Sequence, residues 1–174
     1  MAVNKIKALI LVFTLFFIMG YAQAESIWFS PLTAIPEDPT GARSLVLEVA
    51  PYGDAIEVTA TGPVAEGDNK WVVLGLTTQA NKAIKGVQVC YEVITASPDS
   101  TYISQVRLST MTTPDFSTVI HDDATDLTST SPTCYTSNTA KRKPKVGGTT
   151  TLSLKMVFGS ASDKITIGGV KLIY

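Results

Sequence analysis

The chain has 174 residues, with 14 basic and 15 acidic side chains, one histidine and two cysteines. A charge this close to neutral argues against a nucleic-acid-binding protein, because such proteins normally present a strongly basic face. One histidine and two cysteines also disfavour a tetrahedral zinc site, which takes its four ligands mainly from these residue types.

Residues 1–24 have the three parts of a secretory signal peptide. Two lysines and no acid precede an apolar run from Ala8 to Met19, and the small-residue site Ala22-Gln23-Ala24 follows. The apolar run is shorter than the roughly 20 residues that span a bilayer as a helix. We therefore expect cleavage before Glu25, and an exported single domain over residues 25–174 with no membrane span.

The first part of the mature chain predicts an edge segment and then a hairpin. Three prolines between Ile27 and Gly41 make that stretch an extended arm or a broken edge strand. Apolar residues then alternate with polar ones over Ser44 to Ala50, with Leu45, Leu47 and Val49 inward, and again over Ala55 to Ala60. The turn Pro51–Asp54 joins the two strands.

The middle of the chain predicts three more strands. Asn69 to Leu76 is apolar on both faces, which is typical of a central strand and places Trp71 in the core. The next strand has Val87, Val89, Tyr91 and Val93 as its inner row. Across the Ser97–Ser100 turn, the segment Tyr102 to Ser109 is predicted to pair with it, with Tyr102 pointing inward.

The stretch from Thr110 to Ala140 is rich in threonine and serine and predicts a long loop with at most one short strand, near Thr118 to His121. Long loops of a sandwich are the usual seats of function. Export favours a disulfide between Cys90 and Cys134, closing a loop of about 45 residues. The alternative is two buried thiols that act as small apolar groups.

The last part of the chain predicts two strands. Leu152, Leu154, Met156 and Phe158 share one face of Thr150 to Phe158, opposite a polar face. Along Asp163 to Tyr174 the alternation changes phase at Gly168-Gly169, which predicts a β-bulge there. Eight or nine such strands and no helix predict an all-β, two-sheet antiparallel sandwich. Jelly-roll connectivity is favoured, although other Greek-key orders remain open.

These last two strands carry a family resemblance. Leu152-Ser153-Leu154 through Phe158-Gly159, followed by Asp163-Lys164-Ile165-Thr166-Ile167 to Val170-Lys171-Leu172, resembles the closing strands of jelly-roll carbohydrate-binding modules. The resemblance covers about 25 residues. It implies a secreted sandwich that binds a sugar or attaches to a surface.

Candidate ligand-binding residues come from exposed aromatics and a basic run. Tyr52 in a turn and Tyr135 beside Cys134 are the best candidates for stacking on a sugar ring, ahead of Trp28. Arg142 belongs to the run Lys141–Lys145, whose proline keeps it out of a helix. Such a run could contact an anionic polysaccharide, lipid head groups or an acidic partner, or could simply keep a loop soluble.

Metal binding and catalysis have weaker candidates. Asp122, Asp123 and Asp126 form the densest acidic cluster and could begin a calcium site, with a solvated turn as the alternative. A serine triad would need His121 as its base, and no G-x-S-x-G turn exists. The segment Gly159-Ser160-Ala161-Ser162-Asp163 is instead predicted to be a hairpin turn between the last two strands. We therefore predict a protein that is not an enzyme and has no cofactor.

Two functions follow from this pattern. The first is a non-catalytic binding or adhesion module that recognises a carbohydrate or surface polymer through loops and one sheet face. The second is a structural subunit of an extracellular assembly, in which the arm from Ile27 to Gly41 or the C-terminal strand adds to a neighbour's sheet. A hydrolase is a third and weaker possibility.

Overall fold

The computed structural model describes residues 25–37, 43–142 and 149–174, so the predicted signal peptide and residues 143–145 of the basic run lie outside it. Eleven strands occur within the described residues. They are β1 Ser26–Phe29, β2 Ile35–Pro36, β3 Leu45–Val49, β4 Ile56–Ala60, β5 Trp71–Leu76, β6 Ile84–Ile94, β7 Tyr102–Thr113, β8 Phe116–Asp123, β9 Thr133–Arg142, β10 Thr149–Val157 and β11 Lys164–Ile173.

The strands form two antiparallel sheets. Sheet A has the order β3-β4-β11-β6-β9, and sheet B has the order β2-β5-β10-β7-β8. From β4 onward the chain crosses between the sheets at every connection except β7 to β8, which gives the interlocked orders 4-11-6-9 and 5-10-7-8. This is the jelly-roll arrangement, so the predicted fold class is confirmed.

The core lies between the sheets and is built by the period-two alternation of the inner strands. The row Val87, Val89, Tyr91 and Val93 of β6 is buried, as predicted. It faces Leu152, Leu154 and Met156 of β10, which are fully buried. The hairpin of β3 and β4 is also confirmed, although Val49, next to its turn, is 62% exposed rather than inward.

The predicted β-bulge at Gly168-Gly169 is confirmed. Ile167 of β11 lies opposite Tyr91 of β6, and Val170 lies opposite Val89, so β11 uses one residue more than its partner. The bulge also divides the other edge of β11. Residues before it pair with β4 and residues after it pair with β1, which accounts for the broken edge strand predicted near the start of the mature chain.

Two predicted strand pairings are wrong. Strand β7 does not pair with β6, because the Ser97–Ser100 turn carries the chain from sheet A to sheet B. The turn between Gly159 and Asp163 also crosses between sheets instead of closing a hairpin. Buried Asp163 holds this crossing, since its Oδ2 accepts from Thr101 Oγ1 at 2.6 Å and from the Ser160 amide at 3.0 Å. Alternation alone does not reveal which sheet a strand joins.

The predicted long loop from Thr110 to Ala140 is also wrong, because most of it forms β8 and β9. These two strands are edges of their sheets, and an edge strand needs few apolar residues since much of it faces water. Their threonines and serines satisfy that requirement and look like loop residues in the sequence. Strand β5, predicted to be central, is flanked on one side by only the two residues of β2.

The C-terminal strand that was expected to add to a neighbour's sheet lies inside sheet A. Strand β11 is paired on both sides, by β6 and by β4 with β1. The arm residues of β1 and β2 are likewise paired within this chain. Strand β11 is therefore paired on both sides, whereas β1 and β2 each pair with a single strand among the described residues.

Candidate functional site

The outer face of sheet B forms a groove across five strands. Its cavity volume is about 450 Å³. The floor consists of outward-pointing side chains of β5, β10 and β7, and the walls come from β2 and β8. The lining residues are Ile35, Pro36, Glu37, Trp71, Val73, Arg107, Ser109, Met111, Ser117, Val119, Thr151 and Ser153.

The strand register arranges these side chains in rows across the sheet. One row runs Val73, Ser153, Arg107 and Asp122, because these residues are direct partners on neighbouring strands. The next row places Thr151 beside Ser109 and Val119. The floor therefore offers hydroxyl groups and a guanidinium, while exposed Ile35, Met111 and Val119 supply apolar walls.

Trp71 is buried in this outer face and not in the core, which corrects the sequence prediction. Its neighbours Val72 and Leu74 point inward, so Trp71 points outward, and the side chains above it reduce its exposure to 8%. The Arg107 guanidinium carbon lies 4.7 Å from the ring centroid, and Lys155 Nζ lies 5.9 Å from it. Cations stack favourably on the face of an indole.

Arg107 is the central polar group of the groove. Its Nη2 donates to Asp122 Oδ2 at 3.1 Å, and Gln105 Nε2 donates to the other oxygen of the same carboxylate at 2.5 Å. The Arg107 Nε is buried with no hydrogen-bond partner in the part of the chain that the structure describes. A buried donor without a partner costs free energy.

Tyr102 does not point into the core as predicted. The register between β10 and β7 shifts after Lys155, so that Ile103 becomes the inward residue and is fully buried. Strand β7 has one residue more than β10 at this point, so the inward and outward positions are exchanged relative to Val106 and Leu108, and Tyr102 points outward. Burial raises the pKa of the Tyr102 hydroxyl, and the negative charges of Asp126 and Glu66 add to this shift.

The three aspartates of the predicted calcium site are held by different partners. Asp122 points outward to Arg107, whereas Asp123 points between the sheets, and Asp126 interacts with Tyr102. Among the described residues, no three His, Cys, Asp or Glu side chains lie close enough to hold a metal ion together. The calcium hypothesis therefore keeps only its argument from sequence.

Asp123 is the centre of a hydrogen-bond cluster that joins edge strands β8 and β9. Its Oδ2 accepts from Tyr135 Oη at 2.8 Å and from Ser137 Oγ, and its Oδ1 accepts from the Thr125 amide at 3.0 Å. Burial alone would raise the pKa of this carboxyl, but the bonds from Ser137, Thr125 and Tyr135 outweigh it and lower the pKa to about 2. The cluster links the two sheets.

The same cluster contains a histidine, a serine and an aspartate, but in an order that does not suit a nucleophilic triad. Ser137 Oγ gives its one proton to Asp123, so the His121 Nε2 that lies 2.6 Å away must donate to Ser137. A catalytic serine instead donates to the histidine, which acts as its base. Ser137 is also only 1% exposed, so this group is structural.

The remaining predicted ligand residues are dispersed. Tyr52 is 94% exposed in the β3–β4 turn, and Tyr135 packs partly against the core with its hydroxyl on Asp123. Arg142 ends β9, and its side chain and residues 143–148 lie outside the described part. The predicted disulfide is present and joins Cys90 of β6 to Cys134, its direct partner on β9.

The groove of sheet B was missed in the sequence for an identifiable reason. Its floor residues are ordinary outward positions of strands whose inward positions dominate the pattern. The one available signal is the outward row of Thr151, Ser153 and Lys155 on β10, which by itself indicates only a solvent-exposed face.

In the described residues, no helix is long and apolar enough to cross a bilayer.

Neither a protein-family model nor a curated protein sequence matches this chain. Among solved structures, the xylan-binding module CBM15 aligns with 86% of this chain and 96% of its own, at a TM-score of 0.55 and 11% identity. The low-affinity xylan-binding module CBM86 of Roseburia intestinalis gives the same coverages and identity at a TM-score of 0.49. A CBM36 domain of a xylanase from the hindgut metagenome of Trinervitermes trinervoides covers 85% of this chain and 96% of its own, at 0.48 and 11%.

At this level of identity the likeness concerns the fold. It extends well beyond the two closing strands that first suggested it. The chain has the jelly-roll β-sandwich fold of carbohydrate-binding modules.

Proposed function

We propose that the mature chain is an exported, non-catalytic carbohydrate-binding module that holds a polysaccharide in the groove of sheet B. The observation that carries this proposal is the composition of the groove floor. A tryptophan lies under a guanidinium, and the serine and threonine hydroxyls of β7 and β10 lie beside it.

A glycan chain suits this floor because it is amphipathic. Each sugar ring has an apolar C–H face and a rim of hydroxyls that both donate and accept hydrogen bonds. The groove supplies apolar contact from Ile35, Val73 and Val119, and hydroxyl groups from Ser109 and Thr151. Binding sites of this kind combine apolar lining with a few placed polar groups.

Arg107 is the residue that fixes orientation in this proposal. Its guanidinium carbon lies 4.7 Å from the Trp71 ring centroid, and the side chain is 32% exposed. A sugar hydroxyl or ring oxygen would accept from this guanidinium. The Asp122 carboxylate holds the other end of the guanidinium, so the donor is positioned before the ligand arrives.

Export is supported by the leader pattern of residues 1–24 and by the Cys90–Cys134 disulfide. Disulfides persist in oxidising compartments such as the periplasm, the cell surface and the extracellular medium. Polysaccharides are the abundant polymers in those places. CBM15, which has a similar fold, is a xylan-binding module, so xylan is the first probe.

The test is affinity gel electrophoresis of the processed protein through gels that contain xylan, a soluble cellulose derivative, mannan, laminarin or polygalacturonate. We expect at least one polysaccharide to retard the wild type, and Trp71→Ala to weaken retardation at least tenfold. Tyr52→Ala is the matched control, because Tyr52 is an exposed aromatic far from the groove, and it should migrate like the wild type.

Two outcomes would overturn the proposal. One is that no polysaccharide in the panel retards the wild type. The other is that Trp71→Ala and Arg107→Ala, shown to be folded by circular dichroism, bind as tightly as the wild type. If Tyr52→Ala alone lost binding, the turn of β3 and β4 would be the site instead of the groove.

A further inference from the structure

We propose that the outer face of sheet A carries a second, independent glycan-binding surface, built around Trp28 and the Gly168-Gly169 bulge. This inference rests on the proposed function for its class of ligand and adds a site on the opposite side of the sandwich. A module with two such surfaces would join two polysaccharide chains.

Trp28 is a large aromatic side chain that the fold leaves in contact with water. It is 55% exposed on β1, even though its neighbours Ile27 and Phe29 pack against the core. The ring lies directly over Gly169, where a Cβ atom would come within 2.8 Å of it. Lys171 Nζ lies 4.8 Å from the ring centroid. The ring is thus held in place by backbone and by a cation, not by burial.

A trough lies next to the bulge on which the ring rests, and its lining includes Gly168 but not Trp28. Gly168 has no side chain, so the outer surface of sheet A is depressed at this residue. The Cys90–Cys134 disulfide, on the neighbouring strands β6 and β9, continues the floor of this depression. The cavity has a volume of about 280 Å³ and a mainly apolar lining. This is near the lower end of the range for ligand clefts, so it fits a short segment of a chain.

Polar groups border the trough on both sides. Thr166 and Glu92 are direct partners and line one side. On the other side the register places Lys171 beside Gln88, whose amide donates to Thr136 at 2.8 Å. Donors and acceptors are therefore available along an apolar floor, which is the complement of a sugar ring with its equatorial hydroxyls.

The charge of this border selects the kind of glycan. One lysine, Lys171, faces one glutamate, Glu92, across the trough, so the site has no net charge. Glu57 and Glu48 lie in the same cross-strand row as Thr166 and Glu92, and Lys164 forms an ion pair with Glu57 at 2.8 Å. Positive and negative side chains are therefore mixed along this face, and a polyanion gains no net attraction from them. We therefore assign the surface to a neutral glycan.

The experiment is calorimetric titration of the processed protein with xylohexaose. The four proteins are the wild type, Trp28→Ala, Trp71→Ala and the double variant. We expect two oligosaccharides to bind per wild-type protein, one per single variant and none to the double variant. Gly168→Ala provides a second test, since a Cβ there meets Cys90 atoms only at 3.5 Å or more. The methyl group should fill the trough without disturbing the fold and weaken this site about tenfold.

The outcomes separate the two proposals. One bound oligosaccharide per wild-type protein, with Trp28→Ala and Gly168→Ala unchanged, would overturn the second surface and leave the sheet B groove intact. If Trp28→Ala lost all binding while Trp71→Ala bound like the wild type, both the groove and the idea of two sites would be overturned. Absence of xylohexaose binding to every protein would overturn the second surface, whereas the groove is overturned only if the polysaccharide panel also fails. Binding of polygalacturonate to Trp71→Ala more tightly than xylohexaose would overturn the assignment to neutral glycans.

Discussion

The two tryptophans of the chain lie on opposite outer faces and differ in their exposure to solvent. Trp71 is 8% exposed under Arg107 and Lys155, while Trp28 is 55% exposed over a glycine. Both are at outward positions of strands, and both have a cation near the ring. The difference lies in what surrounds them, because the strands beside Trp71 supply long side chains that cover its ring, whereas the two glycines of the bulge beside Trp28 supply none.

This comparison shows that an outward position on a strand does not determine exposure. A residue there is buried when neighbouring strands place long side chains beside it, and it stays exposed where neighbours lack them. The groove of sheet B has the covered ring of Trp71 in its floor, whereas on sheet A the ring of Trp28 is exposed next to the glycine bulge. Each of the following predictions tests one side of this difference.

The largest expected effect is on sheet A, whose trough is floored by the disulfide. Replacing Cys90 and Cys134 together by alanine should lower the free energy of unfolding by about 2 to 4 kcal/mol, because a closed loop of this length constrains the unfolded chain. Urea denaturation measures the change. At low denaturant the sheet B groove should still bind its glycan, and loss of that binding in folded protein would show that the two faces are not independent.

Lowering the pH should destabilise the protein through the Asp123 cluster, which joins edge strands β8 and β9. Asp123 has a folded pKa of about 2 against 3.8 for an ordinary carboxyl. The unfolded chain therefore takes up the proton first. The stabilisation is complete above about pH 4 and is lost as the pH falls toward 2, by about 1 to 2 kcal/mol after allowance for solvent screening. Thermal unfolding from pH 5 to pH 2 measures this loss.

Asp123→Asn is the matched variant for the acid prediction. It should be less stable at neutral pH and should lose part of the acid dependence. Asp122→Asn, whose carboxylate is on the outer face, should keep the steep loss below pH 4. A wild type whose stability is flat between pH 5 and pH 2 would contradict the role of the cluster.

Removing the cation from each tryptophan should have unequal effects. Arg107→Ala should cost about 1 kcal/mol, because it removes a stacking contact over a buried ring and a hydrogen bond to Asp122. Lys171→Ala should cost less than about 0.5 kcal/mol, since its ring is already in water. Chemical denaturation of the two variants side by side measures both, and equal losses would contradict the comparison.

The smallest effect concerns the glycine beneath Trp28. Gly169→Ala should push the ring away, because the new Cβ would meet ring carbons at 2.8 and 2.9 Å. The ring is exposed and can move, so stability should change by less than about 0.5 kcal/mol. Tryptophan fluorescence, measured in the Trp71→Phe background so that Trp28 alone reports, should change in intensity or wavelength. An unchanged spectrum would show that the ring does not rest on Gly169.

The sequence was sufficient for the elements that bury one clear face. The inner rows of β6 and β10, the hairpin of β3 and β4, the bulge at Gly168-Gly169 and the disulfide were all predicted, because each depends on local alternation or on a single pair. The resemblance of the closing strands also indicated the right fold.

What the sequence did not reveal depends on partners far away along the chain. Strand β7 pairs with β10 and not with β6 because it belongs to sheet B. No residue of the Ser97–Ser100 turn indicates that the chain changes sheets there. Trp71 and Tyr135 were misplaced for the same reason, because Arg107 and Asp123 reach them from other strands. The candidate groove is made wholly of such long-range neighbours.

The pairing of β1 with β11 has a consequence for the order of folding. Ser26 lies opposite Ile173, so sheet A joins residues from the two ends of the domain. Sheet A cannot be completed until both β1 and β11 have been synthesised and have paired. Proteins with such high contact order fold in milliseconds to seconds and not in microseconds. This chain therefore stays extended for longer than a chain whose contacts are local.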